Sequence, residues 1–178
     1  MQQGKLYLIP IVLAENTTHT IPAYIKDIII DTDLYIVENL KTARRFIKSI
    51  YKEKDIDACT FVELDKHKNY AFEEAVLMEI FNGKNIGLMS EAGTPCIADP
   101  GNKVVEKAHE LNINIVPLVG PSSIMMALMA SGFNGQEFTF NGYLPIEANE
   151  RKSKLQQMET AAKRGCTQLF MDTPYRNQ

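Results

Sequence analysis

The sequence predicts an α/β fold, with a mostly parallel sheet in an N-terminal domain and a second, incomplete α/β domain after it. Short apolar runs alternate with longer amphipathic segments along the chain, and such alternation is typical of helices that cross over between parallel strands. Hydrophobic residues are 45% of the 178 residues and charged residues 23%, as in globular proteins with a buried core.

Five pairs of a strand and a helix come first. Each strand is a short run of apolar and β-branched residues, such as KLYLIPIV at residues 5–12. Each helix has apolar residues three and four positions apart, so that Ala43, Phe46, Ile47 and Ile50 share one face of the second helix. The pairs are residues 5–12 and 21–31, 34–38 and 41–51, 60–64 and 70–81, 86–89 and 101–111, and 113–119 and 122–130.

Turn residues mark the ends of several helices. Asn82 and Gly83 end the third helix. Asp99 is predicted as the N-cap of the fourth helix, with Pro100 in its first position. Gly132 closes the fifth, whose Met125, Met126 and Met129 are expected to line a core, a pocket or a subunit contact.

The remaining elements are a strand over residues 138–143, a charged helix over 148–164 and a strand over 167–171. Two strands and a helix are too few for an independent domain. We therefore predict domains at residues 1–119 and 120–178, with the second truncated and the chain a fragment of a longer protein.

Composition excludes several classes of protein. The net charge of −3 argues against a purely electrostatic nucleic-acid binder, and the absence of a long apolar run argues against a membrane protein. Three widely spaced cysteines and no secretion signal predict a reduced, cytoplasmic protein. No metal is expected, since the three histidines lack a ligand spacing, and no phosphate loop, dinucleotide motif or nucleophile elbow is present.

Two small-residue turns follow predicted strands, where open parallel sheets bind ligands. The first is SEAGTPCIADPG at residues 90–101, in which Gly93 permits close approach of a ligand to the backbone and two prolines stiffen the loop. The second is GPSS at residues 120–123, where Ser122 can cap the next helix. Ordinary strand-to-helix turns remain the alternative for both.

The segment at residues 90–101 resembles the signature loop of the tetrapyrrole-methylase superfamily, with Glu91 where the family has Asp. It is most similar to the ribosomal RNA small subunit methyltransferase I family, which methylates a ribose 2′-hydroxyl. Runs that resemble further family blocks follow in the same order; they are VPLVGPSS at 116–123, ASGF at 130–133, FNGYLP at 140–145 and FMDTPYR at 170–176. The turn at 10–16 differs from the family because it lacks a glycine.

The resemblance implies a tetrapyrrole-methylase-like fold with S-adenosylmethionine in a cleft between two α/β domains. It also implies which residues contact that methyl donor; these are Pro10, Gly93, Thr94, Pro95, Ile97, Ser122, Ser123, Ile124, Asp172 and Thr173. Ribosomal RNA or the small ribosomal subunit is the implied partner, and a homodimer the implied assembly. From charge alone, basic residues such as Arg44 and Arg45 are expected on solvated faces of helices. A role for them in binding RNA rests on the resemblance.

A ribose hydroxyl must lose its proton during methylation, which a nearby base can accept. The candidates for this catalytic role at predicted strand ends are Glu38, His67 and Glu91. Each also has an ordinary structural role, such as an ion pair of Glu38 with Arg44 or Arg45. Two alternatives stay open: a methyltransferase acting on a tetrapyrrole or a protein residue, and a protein that binds S-adenosylmethionine or RNA without catalysis.

Overall fold

Five parallel strands form the sheet of the larger unit in the computed structural model of the chain, which describes residues 3–64 and 74–173. The strands are β1 (Leu6–Leu8), β2 (Leu34–Val37), β3 (Thr60–Glu63), β4 (Ile86–Met89) and β5 (Ile115–Pro117). Their order in the sheet is β3-β2-β4-β1-β5, and every neighbouring pair is parallel. All carboxyl ends therefore share one edge of the sheet.

Helices cover both faces of this sheet. They are α1 (Ile25–Ile30), α2 (Leu40–Ile50), α3 (Glu74–Met78) and α4 (Gly101–Glu110), with a short 3-10 helix at Thr18–Thr20. One core cluster joins α1 and α2 to Tyr35 and Val37 of β2, whereas the other joins α3 and α4 to Leu34 and Ile36 of the same strand. The alternation of side chains along the strand divides the core into two layers.

The chain divides into a unit of Met1–Ser122 and a smaller unit of Ser123–Gln178. The smaller unit contains α5 (Ser123–Ser131), β6 (Phe138–Tyr143), α6 (Ala148–Lys163) and β7 (Thr167–Met171). Strands β6 and β7 pair in parallel, with Phe140 opposite Leu169, as expected when a helix connects them.

Helix α5 is apolar on most of its surface and yet largely exposed. Met125, Met126 and Met129 are 45%, 56% and 79% exposed. Among the described residues these three methionines do not lie in a core, and their predicted role in a subunit contact stays a prediction. The physical reason is the small size of the unit's core, in which the buried apolar residues are Leu128, Leu144 and Met158.

The α/β fold with a mostly parallel sheet is confirmed, and its elements differ from the predicted ones mainly at their ends. The first strand ends at Leu8 because Pro10, just beyond it, has no N–H to donate to a neighbouring strand. The first helix begins at Ile25, later than predicted. The N–H groups of Ile25 and Lys26 donate to the carbonyls of Pro22 and Ala23, three residues earlier, so the chain before Ile25 forms turns rather than an α-helix. Part of the predicted helix at 70–81 lies outside the described residues.

Candidate functional site

The loops that follow β1, β4 and β5 meet at the carboxyl edge of the sheet. The backbone N–H of Ile11 donates to the carbonyl of Gly93 at 2.9 Å. A Cβ added to Gly93 would lie 3.2 Å from the carbonyl oxygen of Pro121. A Cβ added to Gly120 would lie well inside 3.0 Å of the ring of Pro10, closer than real Cβ atoms approach one another. The three loops therefore pack closely at two glycines, where no side chain separates them.

The signature loop, residues 90–101, has an unusual backbone. Gly93 has a φ of 70°, and the two non-glycine residues Cys96 and Ala98 have φ of 69° and 62°. Left-handed conformations cost such residues free energy, and strained residues of this kind cluster at functional sites. Burial, together with the charge of Asp99, raises the pKa of the Cys96 thiol to about 12, so this thiol is a neutral group of the loop rather than a nucleophile.

Asp99 differs from its predicted role. The N-cap of α4 is Pro100, one residue later than predicted, and Asp99 Oδ1 still accepts a hydrogen bond from the N–H of Gly101 at 2.7 Å. Its Oδ2 is buried without a hydrogen-bond partner among the described residues. Burial raises the pKa of Asp99, and the charge of Glu38 raises it further against the lowering effect of backbone N–H groups.

The Asp99→Asn variant is expected to gain stability relative to the wild type as pH rises above 3.8, the ordinary pKa of aspartate. The carboxyl group of Asp99 has a higher pKa in the folded chain than in the unfolded chain, so the wild type loses stability as this group ionises. The variant has no such proton. Urea unfolding of both proteins between about pH 4 and pH 7 measures the difference, and a difference that does not vary with pH would contradict the prediction.

Glu38 ties the end of β2 to the signature loop. Its Oε2 accepts a hydrogen bond from the backbone N–H of Glu91 at 3.0 Å. The side chains of Arg44 and Arg45 contact Asp57 and Glu15, so the ion pair suggested for Glu38 with either arginine is absent from the described residues. This hydrogen bond fixes the start of the signature loop to the end of β2.

A pocket of about 740 Å³ opens beside these loops on the side of α2. This volume is within the range of small-molecule sites. Its walls are the loop after β1, one side of α2 and the start of the signature loop; the lining residues are Ile11, Val12, Leu13, Ala14, Glu15, Asn16, Thr18, Thr42, Arg45, Phe46, Ser49, Glu91 and Ala92. Glu91 is the predicted site residue that lines it.

The other predicted site residues fall in both units. In the larger unit Pro10, Gly93 and Pro95 are buried, Thr94 and Ser122 are half-buried and Ile97 is exposed. In the smaller unit Ser123 is exposed and Ile124, Asp172 and Thr173 are half-buried; Asp172 Oδ1 accepts from the N–H of Thr173 at 2.8 Å. His67 lies outside the described residues. The structure thus brings Pro10 and Gly93 to one edge, together with the loop that leads to Ser122.

Sequence reasoning missed two features of this site. Gly120 was read only as part of a small-residue turn, although its place between Val119 and Pro121 at a strand end is a signal of close packing. No signal in the sequence places Thr42, Arg45 and Ser49 in a pocket wall. Helical periodicity identifies the buried face of α2, but it does not show which loops lie beside that helix.

Curated proteins match the chain over most of its length. It is 31% identical over 150 residues to the ribosomal RNA small subunit methyltransferase I of Vibrio cholerae serotype O1, covering 84% of this chain and 49% of the relative. The proteins of the same name from Buchnera aphidicola and Escherichia coli O157:H7 are 31% and 30% identical, covering 97% and 98% of this chain and 57% of each relative.

The resemblance to the ribosomal RNA small subunit methyltransferase I family is confirmed. The chain spans about half the length of the family members that it matches. No protein-family model matches it.

A solved structure supports the fold assignment. The uroporphyrin-III C-methyltransferase of Thermus thermophilus superposes with a TM-score of 0.52 over 82% of this chain and 65% of its own, at 14% sequence identity. At that identity the likeness shows the fold alone, which is the tetrapyrrole-methylase fold expected from the family. Among the described residues no helix is long and apolar enough to cross a membrane.

Proposed function

We propose that the chain is part of an S-adenosylmethionine-dependent methyltransferase that methylates a ribose 2′-hydroxyl of small-subunit ribosomal RNA. The observation that carries this proposal is the packing of Gly93 and Gly120 against the loop after β1. It brings these loops together beside the carboxyl ends of the strands, where sheets of this kind bind ligands. The names of the matching relatives support the choice of reaction.

The residues at this edge fit the methyl donor. Gly93 has a left-handed backbone and no Cβ, so the turn packs closely on Pro121; Thr94 adds a hydroxyl, and Pro95 stiffens the turn. We assign Pro10, Ile97 and Ser122 to the same site. Ser123, Ile124, Asp172 and Thr173 of the smaller unit stay predictions from the family resemblance. The bound donor supplies a methyl group already activated on a sulfonium, so the protein's part is to orient the acceptor and exclude water.

The proton of the ribose hydroxyl needs an acceptor near the reacting atoms. Glu91 is the candidate that we favour, because it is exposed and lines the 740 Å³ pocket at the start of the signature loop. Glu38 hydrogen-bonds the backbone of Glu91 at 3.0 Å, which supports a positioning role for it. His67 remains a candidate outside the described residues.

The proposed partner is ribosomal RNA within the small subunit, which places the protein in the cytoplasm with the ribosomes. A homodimer is proposed as the working assembly, on the resemblance alone. A tetrapyrrole acceptor is not favoured, since the likeness to a tetrapyrrole methyltransferase extends only to the fold.

A methyl-transfer assay tests the proposed function. Small ribosomal subunits from a strain without this modification are incubated with the chain and tritiated S-adenosylmethionine. We expect tritium in the RNA, at one nucleotide whose 3′ phosphodiester resists alkali, because a 2′-O-methyl group removes the hydroxyl that attacks the phosphorus. Fully modified subunits are the control and should accept no label. Label in ribosomal protein, or no label although calorimetry shows donor binding, would contradict the proposal.

A further inference from the structure

The outward face of α2 is strongly basic. Lys41, Arg44, Arg45 and Lys48 recur at a spacing of three and four residues, opposite the buried Ala43, Phe46 and Ile47. Four of the 19 lysines and arginines fall in this helix, and none of the 22 acidic residues does. We call these four residues the α2 basic face. It groups four positive charges on a chain whose net charge is −3, and carboxylates of neighbouring segments, among them Glu15 and Asp57, lie beside it.

The pocket of 740 Å³ adjoins the α2 basic face. Arg45 belongs to both, and Thr42 and Ser49 also line the pocket. The Ser49 hydroxyl donates to the carbonyl of Phe46 at 2.7 Å. The lining also includes Glu91 of the signature loop. A group bound in the pocket would therefore lie between the basic face and the loops assigned to the methyl donor.

The ion pairs on the α2 basic face are weak competitors for a ligand. The side chains of Arg45 and its partner Glu15 are 64% and 85% exposed, and Nη1 of Arg45 lies 3.2 Å from Oε1 of Glu15. Those of Arg44 and its partner Asp57 are 42% and 90% exposed. Such exposed pairs contribute little and are easily exchanged. Lys48 differs, because its Nζ donates to the carbonyls of Lys52 and Lys54 and so holds the following loop.

We propose that the α2 basic face binds the phosphates of the RNA backbone and that the adjoining pocket receives one nucleotide of that RNA. The inference rests on the proposed function and adds the surface that engages the acceptor. A guanidinium group can donate two parallel hydrogen bonds to one phosphate, and the RNA backbone presents phosphates in succession, so one strand can engage both arginines. The polar side chains of Thr42 and Arg45 in the pocket lining can donate to the hydroxyl groups of a ribose and to the edge of its base.

The test compares two double variants that each remove two positive charges. Arg44→Gln with Arg45→Gln changes the α2 basic face, whereas Lys103→Gln with Lys107→Gln changes α4, which packs on the other face of the sheet. We expect the α2 variant to bind small ribosomal subunits at least about tenfold more weakly and its log–log salt dependence to flatten by about two, one for each lost phosphate contact. The α4 variant should bind as the wild type does.

A third variant guards against misfolding. Glu15→Gln removes the carboxylate that competes for Arg45, so it should bind the subunits more tightly than the wild type, which a damaged fold cannot explain. Equal weakening by both double variants, or effective competition by polyglutamate at the same charge concentration, would overturn the inference. Loss of subunit binding in the α2 variant alone, together with no methyl transfer by the wild type, would support the surface and contradict the proposed function.

Discussion

Replacing Gly120 with alanine is expected to weaken the binding of S-adenosylmethionine by at least about tenfold, equivalent to about 1.4 kcal/mol. The added Cβ would overlap Cβ and Cγ of Pro10. A proline ring cannot rotate away, so the loop after β5 must move off the loop after β1. Overpacking of this kind costs about 1–3 kcal/mol, and here the displacement opens the edge assigned to the methyl donor. Calorimetric titration with the donor measures the effect.

The chain offers two controls for this experiment. Gly135→Ala makes the same chemical change where an added Cβ would have no atom within 4 Å, and it should leave donor binding unchanged. Combining Gly120→Ala with Pro10→Gly moves the Cβ from one side of the contact to the other and should restore part of the affinity. Wild-type affinity in the Gly120→Ala variant would show that this contact does not shape the donor site.

Ile29→Ala is expected to destabilise the larger unit by about 2–5 kcal/mol. Ile29 is 0% exposed and belongs to the core cluster that joins α1 and α2 to the sheet. Its replacement removes apolar contacts and leaves a cavity that the surrounding helices and strands fill only in part. The free energy of unfolding, taken from urea titrations followed by circular dichroism, measures the loss.

The neighbouring residue supplies a matched control. Ile30 is 42% exposed and lies in the same helix, so Ile30→Ala makes the same substitution with the same change in helix propensity. It should cost less than about 1 kcal/mol, because much of the side chain is already in water. Similar losses for the two variants would mean that α1 does not pack on the sheet as described.

Much of the fold could be predicted because its signals are local. The spacing of Ala43, Phe46 and Ile47 identified the buried face of α2, and all three are buried. The apolar run at Ile86–Met89 was predicted to its exact ends. The exposure of Met129 could not be predicted, because an apolar helix side indicates a buried contact only if the domain has enough core to cover it.

The candidate site was predictable in part. The small residues at 90–101 indicated a ligand loop, and the structure places Gly93 against Ile11 and next to Pro121. The hydrogen bond from the backbone of Glu91 to Glu38 had no signal in the sequence, because it joins residues 53 positions apart whose strands are not consecutive. The left-handed backbone at Cys96 and Ala98 was also hidden, since neither residue type favours it.

The spacing and identity of neighbouring residues are enough to predict the alternation of strands and helices, the buried side of α2 and the resemblance to the ribosomal RNA small subunit methyltransferase I family. Three features could be found only in the tertiary structure. They are the strand order β3-β2-β4-β1-β5, the close approach of Gly120 to the ring of Pro10 and the pocket beside α2. All three features depend on which distant segments of the chain pair. Hydrophobic periodicity indicates that a segment is buried, but it does not identify the segment that it packs against.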